Sequence, residues 1–133
     1  MISENFDKLF NAAKTVRENA HVPYSNFKVG AAFLTEDGSI ISGCNVENAA
    51  YPQTQCAEAS AIGSLISSGY KKINEIVVIG SGSLLCSPCG GCRQRIREFA
   101  SLDLKIHMCN EEGHMKTSTL EDLLPDSFGP ENL

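Results

Sequence analysis

Three cysteines in two separated motifs constrain this chain more than any other feature of its sequence. Cys56 stands two residues before Glu58. Further along, Cys89 and Cys92 form a C-x-x-C pair that follows Pro88. A structural zinc site usually has four protein ligands, whereas a catalytic site has three and leaves the fourth position for water. Three thiols beside one carboxylate indicate the catalytic kind, so the fold has to bring two distant segments to one metal.

The length and composition favour one domain in a reducing compartment. With 133 residues, the chain is long enough to bury a core without disulfides, and we predict a single domain over residues 1–133. No apolar run approaches the ~20 residues needed to cross a bilayer, and the first stretch carries charges that a signal peptide lacks. We therefore expect a cytoplasmic protein with no membrane partner, whose six cysteines bind metal or take part in catalysis.

The charge of the chain argues against a nucleic-acid partner. Its formal net charge is -5, whereas binding to phosphate backbones normally requires a basic face. The only local concentration of positive charge is Arg93, Arg95 and Arg97. Their alternate spacing spreads these side chains around a helix axis, which predicts a solvated helix with room for one inward arginine.

The first half of the chain predicts a helix followed by a hairpin. Apolar residues at helical spacing predict a first helix that is capped by Ser3 and runs to about Ala20. Two β-favouring runs, 27–34 and 39–44, then flank the turn residues Asp37 and Gly38. These two runs are predicted to pair as a β-hairpin.

The remaining elements alternate between helices and strands, which predicts a layered α/β domain with some parallel pairing. They are a helix capped by Thr54 and ended by Gly69, a buried strand at 76–79, a helix from Cys89 to about Ala100, strands at 105–109 and 115–119, and a short helix at 120–124. The hairpin is expected to lie in the same sheet as the later strands.

Both cysteine motifs fall at predicted helix starts, where free N–H groups and the helix dipole lower thiol pKa values. Cys89 and Cys92 are three residues apart and share one face of a helical turn. Glu58 can point into the same cavity as Cys56, take a proton from metal-bound water and return it to a substrate. Three thiolates overcompensate the charge of zinc and weaken this acidification, so we expect a nearby cation.

Two simpler interpretations of the cysteines remain open. A redox dithiol also has a C-x-x-C pair, but this interpretation leaves Cys56 and Glu58 unexplained. A closed structural zinc site needs a fourth ligand. The candidates are Cys44, Cys86, Cys109, His21, His107 and His114. Cys44 and Cys109 lie in apolar strand segments, where a buried small hydrophobic residue is the better interpretation.

Several stretches in the correct order resemble the small homotetrameric cytidine deaminases of pyrimidine salvage, in the cytidine and deoxycytidylate deaminase family. They are residues 23–32, 45–52, 56–58, 88–94 and 124–130. The resemblance implies a three-layer α-β-α fold with helices on both faces of a mixed five-stranded sheet. It also implies one Zn²⁺ per subunit and a homotetramer with pockets shared between subunits. The implied reaction converts cytidine and 2'-deoxycytidine to uridine and 2'-deoxyuridine, with release of ammonia.

The resemblance assigns roles to individual positions. Cys56, Cys89 and Cys92 resemble the zinc ligands, and Glu58 resembles the group that moves protons from the water to N3 of cytosine and to the departing amine. Seven further positions resemble substrate contacts: Asn45 and Glu47 for the ribose with Asn48 beside them, Phe27 for the aromatic wall of the pocket, the backbone of Ala57 for the pyrimidine edge, and Tyr51 and Phe128 for a neighbouring subunit's pocket.

One position departs from the pattern of the family. Many three-cysteine members have an arginine directly after the catalytic glutamate, where it can offset thiolate charge, but this chain has Ala59. We predict that Arg93, adjacent to Cys92, supplies the positive charge together with the two helix N-termini. Gln94 could assist through hydrogen bonds without adding charge.

Three other functions compete with nucleoside salvage. A blasticidin-type antibiotic deaminase shares the zinc motif, but the combination of Phe27, Asn45 and Glu47 favours the salvage enzyme. A polynucleotide-editing deaminase is disfavoured because the chain is acidic and has no evident basic groove. A noncatalytic zinc-stabilised interaction module would explain the cysteines and leave Glu58 without a purpose.

Overall fold

The computed structural model describes residues 3–133, which build one five-stranded sheet flanked by helices. The elements in chain order are α1 (Phe6–Arg17), β1 (Gly30–Thr35), β2 (Ile40–Cys44), α2 (Ala57–Ser67), β3 (Ile73–Ile79), α3 (Gly90–Arg97), β4 (Lys105–Asn110), β5 (Gly113–Thr119) and α4 (Leu120–Leu123). Two short 3-10 helices cover Tyr51–Gln53 and Pro130–Asn132.

The sheet has the strand order β2-β1-β3-β4-β5 and mixes both directions. β1 pairs antiparallel with β2, as predicted for the hairpin, and antiparallel with β3. β3 and β4 are parallel, because α3 carries the chain back to the starting edge between them. β5 returns antiparallel to β4. The mixed α/β sheet inferred from the sequence is therefore confirmed.

Helices cover both faces of the sheet, because successive side chains of a strand point to opposite sides. In β1, Ala32 packs with Leu9 and Ala13 of α1. Its neighbours Ala31 and Phe33 lie in the other cluster, which also contains residues of α2, α3 and α4. Both clusters contain side chains with no exposed surface, and the three-layer α-β-α arrangement implied by the resemblance is confirmed.

Two glycines let helices approach the sheet closely. A Cβ on Gly30 would lie 2.1 Å from the carbonyl oxygen of Ala13 in α1, and one on Gly43 would lie 2.4 Å from the amide nitrogen of Ala61 in α2. Neither backbone can yield by that much, so larger residues would push α1 or α2 away from the hairpin. The close contact at Gly43 matters most, because α2 carries part of the candidate site.

The first helix is shorter than predicted at both ends. α1 runs from Phe6 to Arg17, not from a cap at Ser3 to about Ala20. The hydroxyl of Ser3 donates instead to the buried carboxylate of Glu75 in β3. Ser3 therefore bonds to a side chain of the sheet, and Asn5 occupies the N-cap position, so the predicted cap was wrong.

The first strand begins at Gly30 rather than at residue 27. The amide of Asn45 explains the difference, because it occupies the backbone groups just before the strand. Its Oδ1 accepts from the Val29 N–H at 2.9 Å, and its Nδ2 donates to the Phe27 carbonyl at 2.8 Å. The Val29 N–H and the Phe27 carbonyl therefore bond to a side chain instead of to a neighbouring strand, while the Val29 carbonyl accepts from the Asn45 N–H at 3.3 Å.

Cys56, not Thr54, occupies the N-cap position of α2. The hydroxyl of Thr54 accepts from the Asn48 N–H at 3.1 Å and so organises the preceding loop. Gly69 follows the helix with a φ of 92°, a left-handed conformation that favours glycine, as predicted.

The other bounds differ from the prediction by a few residues. β3 begins at Ile73 because its ladder with β1 extends beyond the apolar run. α3 ends at Arg97 rather than near Ala100. Within residues 3–133, no helix is long and apolar enough to span a bilayer.

Candidate active site

Both cysteine motifs lie at the start of a helix, as the sequence predicted. Cys56 is the N-cap residue of α2 and Cys89 is the N-cap residue of α3. Neither sulfur hydrogen-bonds to the first turn of its own helix, so both remain available to a ligand. Cys92, one turn into α3, is fully buried. The sheet brings these two helix starts side by side.

The three thiols are close enough to share one metal ion. The Sγ atoms of Cys56, Cys89 and Cys92 all lie within 4.8 Å of one another, and the first two are 3.8 Å apart. Sulfur atoms at tetrahedral positions around zinc, with bonds of ~2.3 Å, lie about 3.8 Å apart. The donor set and its spacing therefore fit a single Zn²⁺.

No fourth protein ligand joins this cluster among the residues that the structure describes. Both ring nitrogens of His107 form hydrogen bonds outside the cluster. Its Nε2 lies 2.6 Å from Glu75 Oε2, and its Nδ1 lies 2.7 Å from Thr117 Oγ1. Cys109 is buried on the α1 side of the sheet. The arrangement has the three ligands and open position of a catalytic zinc site rather than the four ligands of a structural one.

Glu58 lies in the first turn of α2 and is 4% exposed. Burial raises the pKa of its carboxyl to about 7, and the nearby Cys56 acts in the same direction. The backbone hydrogen bond at Glu58 and the charge of Arg95 oppose this shift. A carboxyl whose pKa lies near neutrality can both accept and donate a proton, as a general acid and base requires.

The thiols themselves are poised to lose protons to a metal. A hydrogen bond with Cys92 lowers the pKa of Cys56 to about 6, with smaller contributions from Cys89 and Arg95. The same hydrogen bond raises the pKa of Cys92. The thiols are thus coupled, and their hydrogen bond favours loss of the proton from Cys56 before Cys92.

A cavity of about 220 Å³ opens beside Glu58 and two of the thiols. Its lining consists of Phe27, Val29, Asn45, Thr54, Gln55, Cys56, Ala57, Glu58, Cys86, Ser87 and Cys89. A second cavity of about 360 Å³ shares Thr54 and is lined also by Tyr24, Ser25, Glu47 and Tyr51. The structure therefore places five of the predicted substrate contacts around two adjoining cavities, with Phe27, Asn45 and Ala57 in the first.

The predicted ribose ligands also hold the loop that carries Phe27. Besides the two Asn45 bonds, Glu47 Oε1 accepts from the Tyr24 and Ser25 N–H groups at 3.0 and 3.1 Å. The Ser25 hydroxyl donates to the other oxygen and is the main reason why the pKa of Glu47 is lowered. Each side chain keeps spare capacity, because a carboxylate has about four acceptor sites and an amide two N–H groups.

Three of the predicted substrate contacts lie further from the metal cluster. Asn48 bonds through Oδ1 to the Ala50 N–H at 2.8 Å and shapes its own loop. Tyr51 is 72% exposed and packs edge-on against Tyr24 at 6.0 Å between ring centroids. Phe128 is 58% exposed and lines neither of the two cavities. A single chain does not bring Phe128 to its own site.

Arg93 does not face the thiols, so its predicted role in charge compensation was wrong. Its guanidinium donates to the carbonyl oxygens of Pro88 and Leu123, each at 2.7 Å, and to Ser87 Oγ. Backbone carbonyls before and beyond α3 thus attract the side chain away from the cluster. Gln94 is also engaged elsewhere, since its Nε2 donates to the Phe128 carbonyl at 2.9 Å.

Sequence reasoning missed two residues near the cluster. Cys86 was considered only as a fourth ligand, but it lines the cavity, and burial raises its pKa to about 11. Arg95 was treated only as one of three arginines on a solvated helix with room for one inward arginine. The signal for Cys86 was its position three residues before Cys89. The signal for Arg95 was its four-residue spacing from Gly91, because residues four apart lie on one face of a helix.

Comparison with known families decides the relationship of the chain. Residues 3–108 match the family model described as the cytidine and deoxycytidylate deaminase zinc-binding region. The match covers most of the chain and both cysteine motifs. The chain belongs to this family.

Individual relatives within the family are similar over nearly the whole chain. A cytidine deaminase of Sporosarcina psychrophila is 42% identical over 127 residues, covering 96% of this chain and 93% of that protein. One from Mycobacterium tuberculosis is 39% identical over 130 residues, covering 97% and 93%. The crystal structure of cytidine deaminase from Burkholderia pseudomallei matches with a TM-score of 0.87 and 42% identity. The match covers 96% of this chain and 100% of that chain.

Proposed function

We propose that this chain is a zinc-dependent cytidine deaminase that hydrolyses cytidine and 2'-deoxycytidine to uridine and 2'-deoxyuridine. The observation that carries the proposal is the buried Glu58 beside an open three-thiol cluster at the wall of a cavity. A metal cluster alone would stabilise a fold, but a protonatable carboxyl next to it is useful only for chemistry. The full-length similarity to cytidine deaminases supports the choice of substrate.

Cys56, Cys89 and Cys92 would hold the zinc ion. When bound, zinc supplies Lewis-acid chemistry and lowers the pKa of a bound water toward ~7. Two helix N-termini point at the cluster and stabilise its negative charge. The chain's own contribution to this half of the reaction is to keep three thiols deprotonated and one position open.

Glu58 moves the protons. Its carboxylate takes a proton from the attacking water and delivers it to N3 of the cytosine ring, so that C4 becomes electrophilic. The hydroxide that remains adds to C4. Glu58 then takes the proton of the new C4 hydroxyl and passes it to the amine as the C4–N4 bond breaks, which leaves a carbonyl at C4. Cytidine and water give uridine and ammonia, and Glu58 ends in its starting state. Burial supports this role because it raises the carboxyl pKa to about 7.

The remaining substrate contacts are proposed from the cavity walls. Phe27 provides an apolar wall for the base, and the backbone of Ala57, at the start of α2, faces the same cavity. Asn45 and Glu47 would bind ribose hydroxyls with the donor and acceptor positions that the Phe27 loop leaves free. Asn48 would support them through the loop that it organises with Ala50.

Assembly belongs to the same proposal. We expect one domain over residues 1–133, in the cytoplasm, that forms a homotetramer binding one zinc per subunit. Tyr51 and Phe128 are large, exposed aromatic residues, of which Phe128 lies outside its own cavity. We expect both to complete the pocket of a neighbouring subunit, and an oligomer would then be necessary for full activity.

Ammonia release, measured together with zinc content, tests the proposal. The substrates are cytidine, deoxycytidine, CMP, adenosine, blasticidin S and single-stranded DNA. We expect one zinc per chain and ammonia from the first two only. Turnover of blasticidin S alone would replace the salvage function by antibiotic resistance. Retained zinc without ammonia from any nucleoside would favour a noncatalytic interaction module.

A further inference from the structure

The thiolate cluster needs a positive charge that neither predicted position provides. Three thiolates carry one more negative charge than Zn²⁺ can neutralise. Position 59 is an alanine, and the guanidinium of Arg93 is bound to the backbone carbonyls of Pro88 and Leu123. The helix N-termini supply only partial charges. A further cation near the sulfur atoms would lower the cost of assembling this negative site.

Arg95 reaches the cluster from within α3. Long helical side chains lean toward the N-terminus of their helix, and Arg95 lies one turn after Gly91. Its NH1 atom is 3.2 Å from the point where Gly91 would carry a Cβ, and the Sγ of Cys89 is 4.0 Å from the same point. The space that glycine leaves empty therefore separates the guanidinium from a zinc-ligating sulfur.

We propose that Arg95 is the positioning residue that offsets the charge of the three thiolates and so favours the zinc-loaded cluster. This inference rests on the proposed function, since it concerns the same metal site. In this chain the compensating cation comes from the second turn of α3 instead of position 59 on α2.

The test measures how tightly the protein holds zinc at constant pH. A chelating dye competes for the metal of zinc-loaded wild type, Arg95→Gln, Arg95→Lys and Lys8→Gln. Zn²⁺ with three thiolates carries a net negative charge, so a nearby cation favours the loaded form. We expect Arg95→Gln to weaken zinc binding about three- to eight-fold, as expected for a solvent-screened pair of charges several Å apart.

Three comparisons separate the charge effect from a structural one. Arg95→Lys should keep most of the wild-type affinity, because it retains the charge. Lys8→Gln, which removes an equal charge from α1 on the opposite face, should have no effect. The loss in Arg95→Gln should shrink from about 0.1 M to about 1 M salt, where the Debye length falls to ~3 Å.

Equal zinc affinity in wild type and Arg95→Gln would overturn the inference, as would a loss that salt does not change or that Arg95→Lys shares in full. Arg95 is exposed on α3, so these variants should fold, and circular dichroism checks this. The zinc measurement does not require turnover. If the wild type released no ammonia from cytidine, the proposed function would fail while the zinc data still decided the role of Arg95.

Discussion

The metal half and the nucleoside half of the candidate site are built in different ways. The metal half, around Cys56, Glu58 and Cys92, sits at the starts of two helices and is largely buried. The nucleoside half, around Asn45 and Glu47, lies on loops and is held by hydrogen bonds between segments about twenty residues apart. The first half is positioned by helix geometry, whereas the second depends on loop contacts.

Because of this difference, substitutions that affect zinc binding should be separable from substitutions that affect nucleoside binding. Loss of a thiol ligand should remove the metal with the loops intact, because the cluster does not use the bonds of Asn45 or Glu47. Loss of a loop contact should weaken nucleoside binding with zinc retained. The predictions below test this separation, and they run from the largest expected effect to the smallest.

Cys92→Ser should lose zinc and turnover together. Cys92 is the fully buried member of the cluster, and a serine hydroxyl is a poor zinc ligand compared with a thiolate. Metal content and ammonia release provide the measurement. Cys109→Ser is the matched control, since Cys109 is equally buried but lies outside the cluster. Full zinc loading of Cys92→Ser would contradict the three-ligand assignment.

Glu58→Gln should retain one zinc but lower kcat by roughly 10³- to 10⁴-fold, near the upper end for loss of a general acid and base. The amide preserves the shape of the side chain without carrying the proton. Steady-state kinetics with parallel zinc analysis decides the outcome. Glu112→Gln, in the exposed turn before β5, serves as control. Substantial residual turnover would remove Glu58 from the centre of the mechanism.

Metal-free protein should show the altered pKa of Glu58 in its stability. The folded pKa of about 7 exceeds the ordinary 4.5, so the protonated form is favoured by folding. The contribution of this protonated carboxyl to the free energy of unfolding is complete below pH 4.5 and is lost as the pH rises through 7. Relative to Glu58→Gln, the free energy of unfolding of the wild type should fall by up to about 3 kcal/mol across this window. Urea titrations at several pH values measure it, and parallel pH profiles would contradict it.

Asn45→Ala should raise KM for cytidine by roughly 30- to 100-fold while zinc stays bound. The substitution removes the hydrogen bonds to the Val29 N–H and the Phe27 carbonyl, each contributing about 0.5–1.5 kcal/mol, and it frees the loop that carries the aromatic wall. Asn74→Ala is the control, because the one hydrogen bond of that amide within residues 3–133 is long, at 3.4 Å. Loss of zinc in Asn45→Ala would show that the two halves are not independent.

Phe128→Ala should raise KM about tenfold without changing the melting temperature, because an exposed ring contributes to a neighbouring pocket and little to its own fold. Leu133→Ala, at the exposed end of the chain, is the control.

Mixing the Phe128→Ala and Glu58→Gln proteins sharpens this test. If Phe128 acts on a neighbouring subunit, mixed oligomers contain sites with an intact Glu58 from one chain and an intact Phe128 from the other. The mixture should then recover wild-type KM in a fraction of its sites. Kinetics that equal the average of the two separate proteins would place Phe128 outside the shared pocket.

Much of the metal half could be predicted from the sequence. The spacing of Cys89 and Cys92 places both on one helical turn, and Pro88 marks where that helix begins. Glu58 follows Cys56 at a helix start, which aims both at the same space. These are local relations, set by the geometry of one turn, and the structure keeps them with small shifts in the element bounds.

The rest required the tertiary structure, because it depends on which groups meet across the fold. The sequence by itself determined the α/β layers, the hairpin and the three thiols with their carboxyl. It did not determine that Arg93 would bind carbonyls beyond its helix while Arg95 turned back over Gly91 toward the sulfur atoms. A guanidinium is bound by whichever acceptors the folded chain places within its reach, and only the packed structure decides that competition.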